Sequence, residues 1–268
     1  MNKIAFICPT YPNRFTMAKS LLDSFYKFNL SEQADFYFVF TSESDADLFG
    51  EYPNKIILPS NRFKNDRSSI FEGIVVTKKF YGMSVLYKKY RYMICLDDDS
   101  VFVRNVDLFY LCTKFYADRI LLGNQTDNSP IINDIIKQSC DVLNIDKRIQ
   151  LISNLYLWFN QPCIYDSLYI EDFFQKINIE NKLFDFKFCE FDFYMYAYYL
   201  MVFQGFFLAD MCYKTNIPCS AIEAELIVPS DAIFPPQIIN KIYQCRKETM
   251  NVFDNSNLFL NIHLDRHS

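Results

Sequence analysis

The sequence predicts an α/β fold, with a mixed, mostly parallel sheet flanked by helices in a single large domain. Three observations lead there. Short apolar runs alternate with helical periodicity through the first hundred or so residues, as in strand–helix–strand units. The chain has 268 residues, 51% hydrophobic and 18% aromatic, which supports one sizeable core and excludes wholesale disorder. The apolar run from Tyr92 to Leu96 leads directly into Asp97, Asp98 and Asp99, so carboxylates stand at a strand end, where open α/β sheets bind ligands.

In chain order, residues 4–8 read as a strand and 9–14 as a loop containing Thr10, Tyr11 and Arg14. Met17, Leu21, Leu22, Phe25 and Phe28 give residues 16–28 helical spacing. Residues 34–40 and 55–58 read as the next two strands, and crossovers between such strands imply a parallel sheet wound in one hand. Residues 68–90 read as a long helix with Phe71, Val75, Met83, Leu86 and Tyr90 on its apolar stripe. Lys79 falls inside that stripe, and Lys78 well to one side. An unpaired buried ammonium is costly, so Lys79 is either a snorkelling side chain at the core edge or a cation aimed at a ligand phosphate.

Beyond the acidic triplet, residues 101–116 read as a helix, 119–122 as a strand and 131–143 as a helix. Residues 155–166 read as a strand entering a turn, with Trp158 (the only tryptophan) and Asn160. Residues 166–177 are helical. Glu190 and Asp192 open a helix over 194–203, and 206–211 form a strand. A helix around 237–245 and an apolar run over 258–262 close the chain at His263.

Composition excludes several functions. Five glycines leave no GxxxxGK[ST] or GxGxxG phosphate loop. A net charge of −5 gives no nucleic-acid footprint. The nine cysteines include no CxxC pair, which reads as a reducing compartment without a disulfide framework or zinc site. The apolar part of the N-terminus is too short for a signal peptide. Residues 193–209 carry no charge but hold four tyrosines and lack basic flanks, so they read as a buried helix and strand rather than a transmembrane span.

The candidate chemistry centres on the triplet. Alternate strand residues share a side, so Asp97 and Asp99 would act together and Asp98 would turn away. Crowded carboxylates repel unless a cation neutralises them, and oxygen-only ligands suit Mg²⁺ or Mn²⁺, which bridge to phosphates. A solvated acidic turn is the alternative. Asp192 or Glu190 could cap a helix or serve as a general base. Trp158 could stack on a sugar or fill the core. His263 could be a metal ligand arriving from far in sequence or part of a frayed end.

Taken together, the strand ending in Pro9-Thr10-Tyr11, the parallel α/β half and the run of residues 78–102 into Asp97-Asp98-Asp99 resemble a GT-A (Rossmann-like) glycosyltransferase with its DxD motif. The resemblance is close over residues 3–110 and loose beyond. It implies a donor-binding half over 1–110 and an acceptor-binding half over 111–268 of one domain. Thr10 and Tyr11 would line the base and ribose, with Tyr11 stacking. Lys79 would face the diphosphate or sugar. Asp97 and Asp99 would hold Mn²⁺ or Mg²⁺ with His263, or one of the two would contact the ribose or donor sugar, and Asp98 would turn toward the donor or be held by the scaffold. Asp192 or Glu190 would be the base of an inverting reaction, and Trp158, Asn160 and Asp166 would line the acceptor side.

The implied activity is metal-dependent transfer from a nucleotide-sugar, a UDP-sugar for preference, to a glycan, lipid-linked or protein acceptor. The enzyme would be cytoplasmic, without a transmembrane span, and peripheral membrane contact would bring it to a lipid-linked acceptor. Residues 97–101 also resemble the DxDx[TV] signature of haloacid-dehalogenase-type phosphatases. A catalytically silent nucleotide- or sugar-binding protein on the same fold is the third reading.

Overall fold

A computed structural model of the chain describes residues 3–59, 73–102, 104–123, 130–146, 157, 163–210, 224–226 and 259–263. Strand β1 (Ile4–Pro9) is buried along its whole length, as an unbroken apolar run at the centre of a parallel sheet should be. It pairs in parallel with β2 (Ala34–Phe40) and with β4 (Tyr92–Cys95). Strand β3 (Lys55–Ile57) joins in parallel beyond β2, and β7 (Cys163–Asp166) joins antiparallel beyond β4. The sheet order is β3-β2-β1-β4-β7, mixed and mostly parallel as the sequence predicts.

Helices α1 (Phe15–Lys27), α2 (Glu43–Phe49) and α3 (Ile74–Leu86) belong to the parallel half, and α4 (Leu108–Asp118) and α5 (Pro130–Leu143) follow. Then come α6 (Ser167–Lys176), the short α7 (Ile179–Lys182) and α8 (Asp192–Gln204). A small antiparallel sheet sets β10 (Phe259–His263) between β5 (Ser100–Phe102) and β9 (Ala224–Leu226). Strands β6 (Ile120–Gly123) and β8 (Phe207–Asp210) form a parallel pair.

Helix α1 buries Phe15, Ala18, Leu21 and Phe25, the spacing of a one-sided helix. Helix α3 is buried on nearly every side, Lys78 and Lys79 included. It lies close on the sheet because Gly82 leaves room: a Cβ there would meet Ile7 Cγ2 at 2.8 Å. Gly73, just before α3, has φ 77°, and a Cβ on it would run into the Phe186 carbonyl.

The core is continuous from Ile4 to Phe206. Its two sides use different aromatics. Phe6, Phe25, Phe36 and Phe102 pack with centroids 5.2–6.0 Å apart under α1. Under α6 and α8 the rings are mostly tyrosines with bonded hydroxyls: Tyr165 to Asp192, Tyr116 with Tyr196, and Tyr199 to Asp172.

The structure departs from the sequence reading at three places. Residues 101–102 are in strand β5, not a helix; Ser24 Oγ accepts from Phe102 N at 2.9 Å. The helix begins only at Leu108, where Asp107 caps the Tyr110 N–H at 2.8 Å. Residues 43–49 form α2, capped by Ser42, where no helix was read. The predicted helix over 237–245 lies outside the described residues. Residues 193–209 become the rest of α8, a turn at Gly205 and the start of β8. Among the described residues no helix is long and apolar enough to cross a membrane, and the six described cysteines form no disulfide.

Candidate active site

The carboxyl ends of β1 and β4 lie side by side, and the acidic triplet follows directly. Strand β4 stops at Cys95; Leu96 N still donates to Ile7 O at 3.0 Å, and Ser100 N closes a turn on Asp97 O at 3.2 Å. Side-chain alternation holds only within a strand, so the pairing expected of Asp97 and Asp99 is not what the turn produces. Asp98 and Asp99 are gathered together by Arg14, and Asp97 goes separately to Lys79.

Arg14 ends a 3₁₀ turn, Pro12–Arg14, that follows β1. Its Nε donates to Asp98 Oδ1 at 3.1 Å and its Nη2 to Asp99 Oδ2 at 2.7 Å. Thr10 Oγ1 donates to the other Asp98 oxygen at 3.0 Å. Burial pushes the Asp98 carboxyl up to about 6, although Arg14 and the Thr10 hydroxyl pull it down. Asp98 is thereby fixed to the scaffold.

Thr10 is fully buried, with its amide on Val39 O and its hydroxyl on Asp98. Its side chain therefore latches the acidic turn rather than lining an open base pocket. Tyr11 is half-buried beside it, its ring centroid 5.9 Å from Lys78 Nζ.

The two lysines of α3 meet different partners. Lys78 Nζ donates to Thr10 O at 2.6 Å. Burial pulls its ammonium down to about 7, with Asp45 and Asp98 opposing. Lys79 Nζ lies 3.0 Å from Asp97 Oδ1 and 3.3 Å from Asp192 Oδ1. Burial works against its charge, but Asp192 and Asp97 outweigh it and hold the ammonium well above its ordinary value. Lys79 thus joins the triplet to the start of α8. The second Asp192 oxygen accepts from the Tyr165 hydroxyl at 2.8 Å. Of the four carboxylates, Asp97 is the most open at 26% side-chain exposure, and Asp192 the least at 1%.

Other predicted residues fall elsewhere. Glu190 accepts from Lys182 Nζ and from Lys187 N, both at 2.8 Å, and so clamps its own loop instead of reaching the Lys79 cluster. Asp166 lies opposite Tyr92 in the antiparallel register, at the amino end of β4 and away from the triplet. There it caps Leu168 N at 2.9 Å and pairs with Arg91 at 2.9 Å, the contacts of a helix cap. Trp158 and Asn160 lie outside the described residues. The backbone of His263 pairs with Ser100, next to Asp99 in sequence.

Sequence reasoning missed Arg14, Lys78 and Tyr165. Arg14 had a usable signal: it sits in the loop leaving β1, at the sheet edge where the triplet also emerges. Tyr165 had none beyond its place in an apolar strand.

The donor set fits a hard divalent cation of one kind. Among the described residues no three metal-capable side chains converge. Mg²⁺ is commonly held by one or two carboxylates together with substrate phosphates. Asp97 and Asp99 are carboxylates of that kind in one turn at the ligand-binding end of the sheet, each held on a different cation.

No family model matches the chain, and no curated protein does. Among solved structures it is similar to the mannosyltransferase Ktr4p from S. cerevisiae at 13% identity and a TM-score of 0.36, over 69% of this chain and 62% of that one. It is also similar to core-mannan synthase A (CmsA/Ktr4) from Aspergillus fumigatus, in its Mn/GDP form, at 14% identity and a TM-score of 0.41, over 78% and 73%. The chain spans less than two thirds of the length of the first of these.

Proposed function

We propose that the chain is a GT-A-type glycosyltransferase that moves a sugar from a nucleotide-diphosphate donor to a hydroxyl of a glycan, lipid-linked or protein acceptor. The observation that supports this best is the position of the acidic turn. It leaves the carboxyl end of β4 beside the Thr10–Tyr11 loop of β1, with Arg14 and Lys79 already within ion-pair distance. Carboxylates for a metal and cations for phosphates share one sheet end.

In this reading Tyr11 stacks on the nucleoside, and Asp97 and Asp99 hold Mn²⁺ or Mg²⁺, with His263 on the neighbouring strand as a third ligand. When bound, the cation supplies Lewis-acid stabilisation of the charge that grows on the departing diphosphate. Lys79 adds fixed positive charge beside Asp97. Asp192, buried and bonded through both oxygens, keeps Lys79 in place. A retaining transfer needs no protein base, so this arrangement favours retention. Trp158 and Asn160 belong to the acceptor side, and the enzyme works in the cytoplasm, in peripheral contact with a membrane when its acceptor is lipid-linked.

The engaged state of Asp192 also favours a second reading, a nucleotide-sugar-binding protein without transfer activity. Calorimetry with UDP and with GDP, each with and without Mn²⁺, tests what the two readings share. Metal-dependent binding of one diphosphate, UDP for preference, is the expected result, and its absence with both overturns the proposal. Slow hydrolysis of the matching sugar donor separates the enzyme from the silent binder.

A further inference from the structure

Arg14 occupies the place that a divalent cation would share. Its planar fork spans two carboxylates, Nε on Asp98 and Nη2 on Asp99, the second at 2.7 Å. Bonds of this charge-assisted, multi-point kind are among the stronger polar contacts in a protein. A cation ligated by Asp99 would compete with that guanidinium for the same carboxylate.

The local architecture lets Arg14 leave. The 3₁₀ turn that carries it has no buried residue, and its side chain is 24% exposed. The acidic turn does not depend on it alone. Asp98 keeps the Thr10 hydroxyl on its other oxygen, and Asp97 keeps Lys79. The cluster would therefore hold its shape while one oxygen of Asp99 and one of Asp98 change partner.

We infer that Arg14 is an exchangeable counter-ion: it holds Asp98 and Asp99 while the metal is absent, and it passes to the donor's diphosphate when the metal arrives. This rests on the reading of Asp99 as a metal ligand. The exchange balances charge. The carboxylates trade a guanidinium for a cation, and the guanidinium trades carboxylates for phosphate oxygens, which its fork matches equally well. The metal alone then binds weakly, because only water receives the displaced arginine; the metal with a diphosphate binds well.

The test is titration of Mn²⁺ alone, with no nucleotide, followed by calorimetry or by the free Mn²⁺ resonance. Arg14→Ala should bind Mn²⁺ roughly ten-fold more tightly than the wild type, the scale of one charge-assisted hydrogen bond. Arg14→Lys should show a smaller gain, since a point charge cannot span both carboxylates, and it serves if the alanine variant folds poorly. Adding Asp99→Asn to Arg14→Ala should abolish the gain. Mn²⁺ affinity that is unchanged or lower in the Arg14 variants, or a gain that survives Asp99→Asn, overturns the inference. Because no nucleotide is present, these outcomes are separate from the UDP and GDP titrations that decide the transferase reading.

Discussion

The two ends of β4 make the same kind of ion pair to different effect. At the amino end, Arg91 meets Asp166 at 2.9 Å; the arginine side chain is 37% exposed, and the aspartate also caps α6. At the carboxyl end, Lys79 meets Asp97 and Asp192 with only 5% of its own side chain exposed. In the first pair only the arginine reaches water, its aspartate being 2% exposed, so solvent screens the cation while the carboxylate keeps its bond to Leu168 N. The second is enclosed, so removing one partner strands charge in the core. An acidic residue at a strand–helix junction is therefore not enough to mark a site. Which end of the sheet it occupies decides whether it caps a helix or joins a crowded ligand-binding edge.

The largest expected effect follows from that enclosure. Lys79→Met should lower unfolding free energy by about 3–5 kcal/mol, because Asp192 is left buried without its cation. Chemical denaturation measures it. Replacing the pair together, Lys79→Met with Asp192→Leu, should recover much of the loss, since the stranded charge is gone. The contrast between the two ends breaks if Lys79→Met costs no more than Arg91→Ala.

The sheet was legible for a physical reason. Central parallel strands are buried on both faces, so β1 and β4 stand out as unbroken apolar runs, and β2 as one interrupted only at Asp35. The triplet was legible as a strand-end feature by the same logic. Its internal division was not, because the period-two rule ends where β4 ends, at Cys95. Lys78 was misplaced because stripe counting assumes one buried face, while α3 is covered almost all round. Arg14 depended on the course of a loop, which apolar periodicity does not encode. The place of Asp166 at the amino end of β4 was not legible either, because nothing in a four-residue run states strand direction, and β7 runs antiparallel to β4.

A middle-sized effect separates Lys78 from its neighbour. Its folded value of about 7 lies below the ordinary value of 10.5 because burial disfavours the charge. Between those values the unfolded chain binds the extra proton, so stability rises with pH. The penalty is full below pH 7 and fades as pH climbs toward 10.5. Near pH 8 this one group should add up to about 1.4 kcal/mol per pH unit to the slope. Lys78→Met should remove that slope and be more stable than the wild type at pH 6. Lys79 behaves oppositely: its folded value is raised, so its contribution is complete below 10.5 and does not vary across this range. Denaturation of wild type and variant at pH 6, 7 and 8.5 reads the difference directly. Burial keeps the Cys8 thiol and Tyr11 hydroxyl protonated to higher pH, and both groups are common to the two proteins. Parallel stability curves for wild type and Lys78→Met would show that the ammonium is not desolvated as its position requires.

The smallest effect belongs to the amino end of β4. Asp166→Ala removes a helix cap, about 1 kcal/mol, and a pair whose arginine side is exposed, a further ~0–1 kcal/mol. The unfolding midpoint should fall slightly, and Asp166→Asn should lose less, because an amide oxygen can still accept from Leu168 N. Diphosphate affinity should be the same in both variants and the wild type, since this residue stands at the far end of the strand from Asp97. A variant that kept its stability but lost nucleotide binding would place Asp166 in the site. That result would also mean β7 enters the sheet in the opposite direction, because only a parallel β7 would carry Asp166 to the carboxyl end of β4.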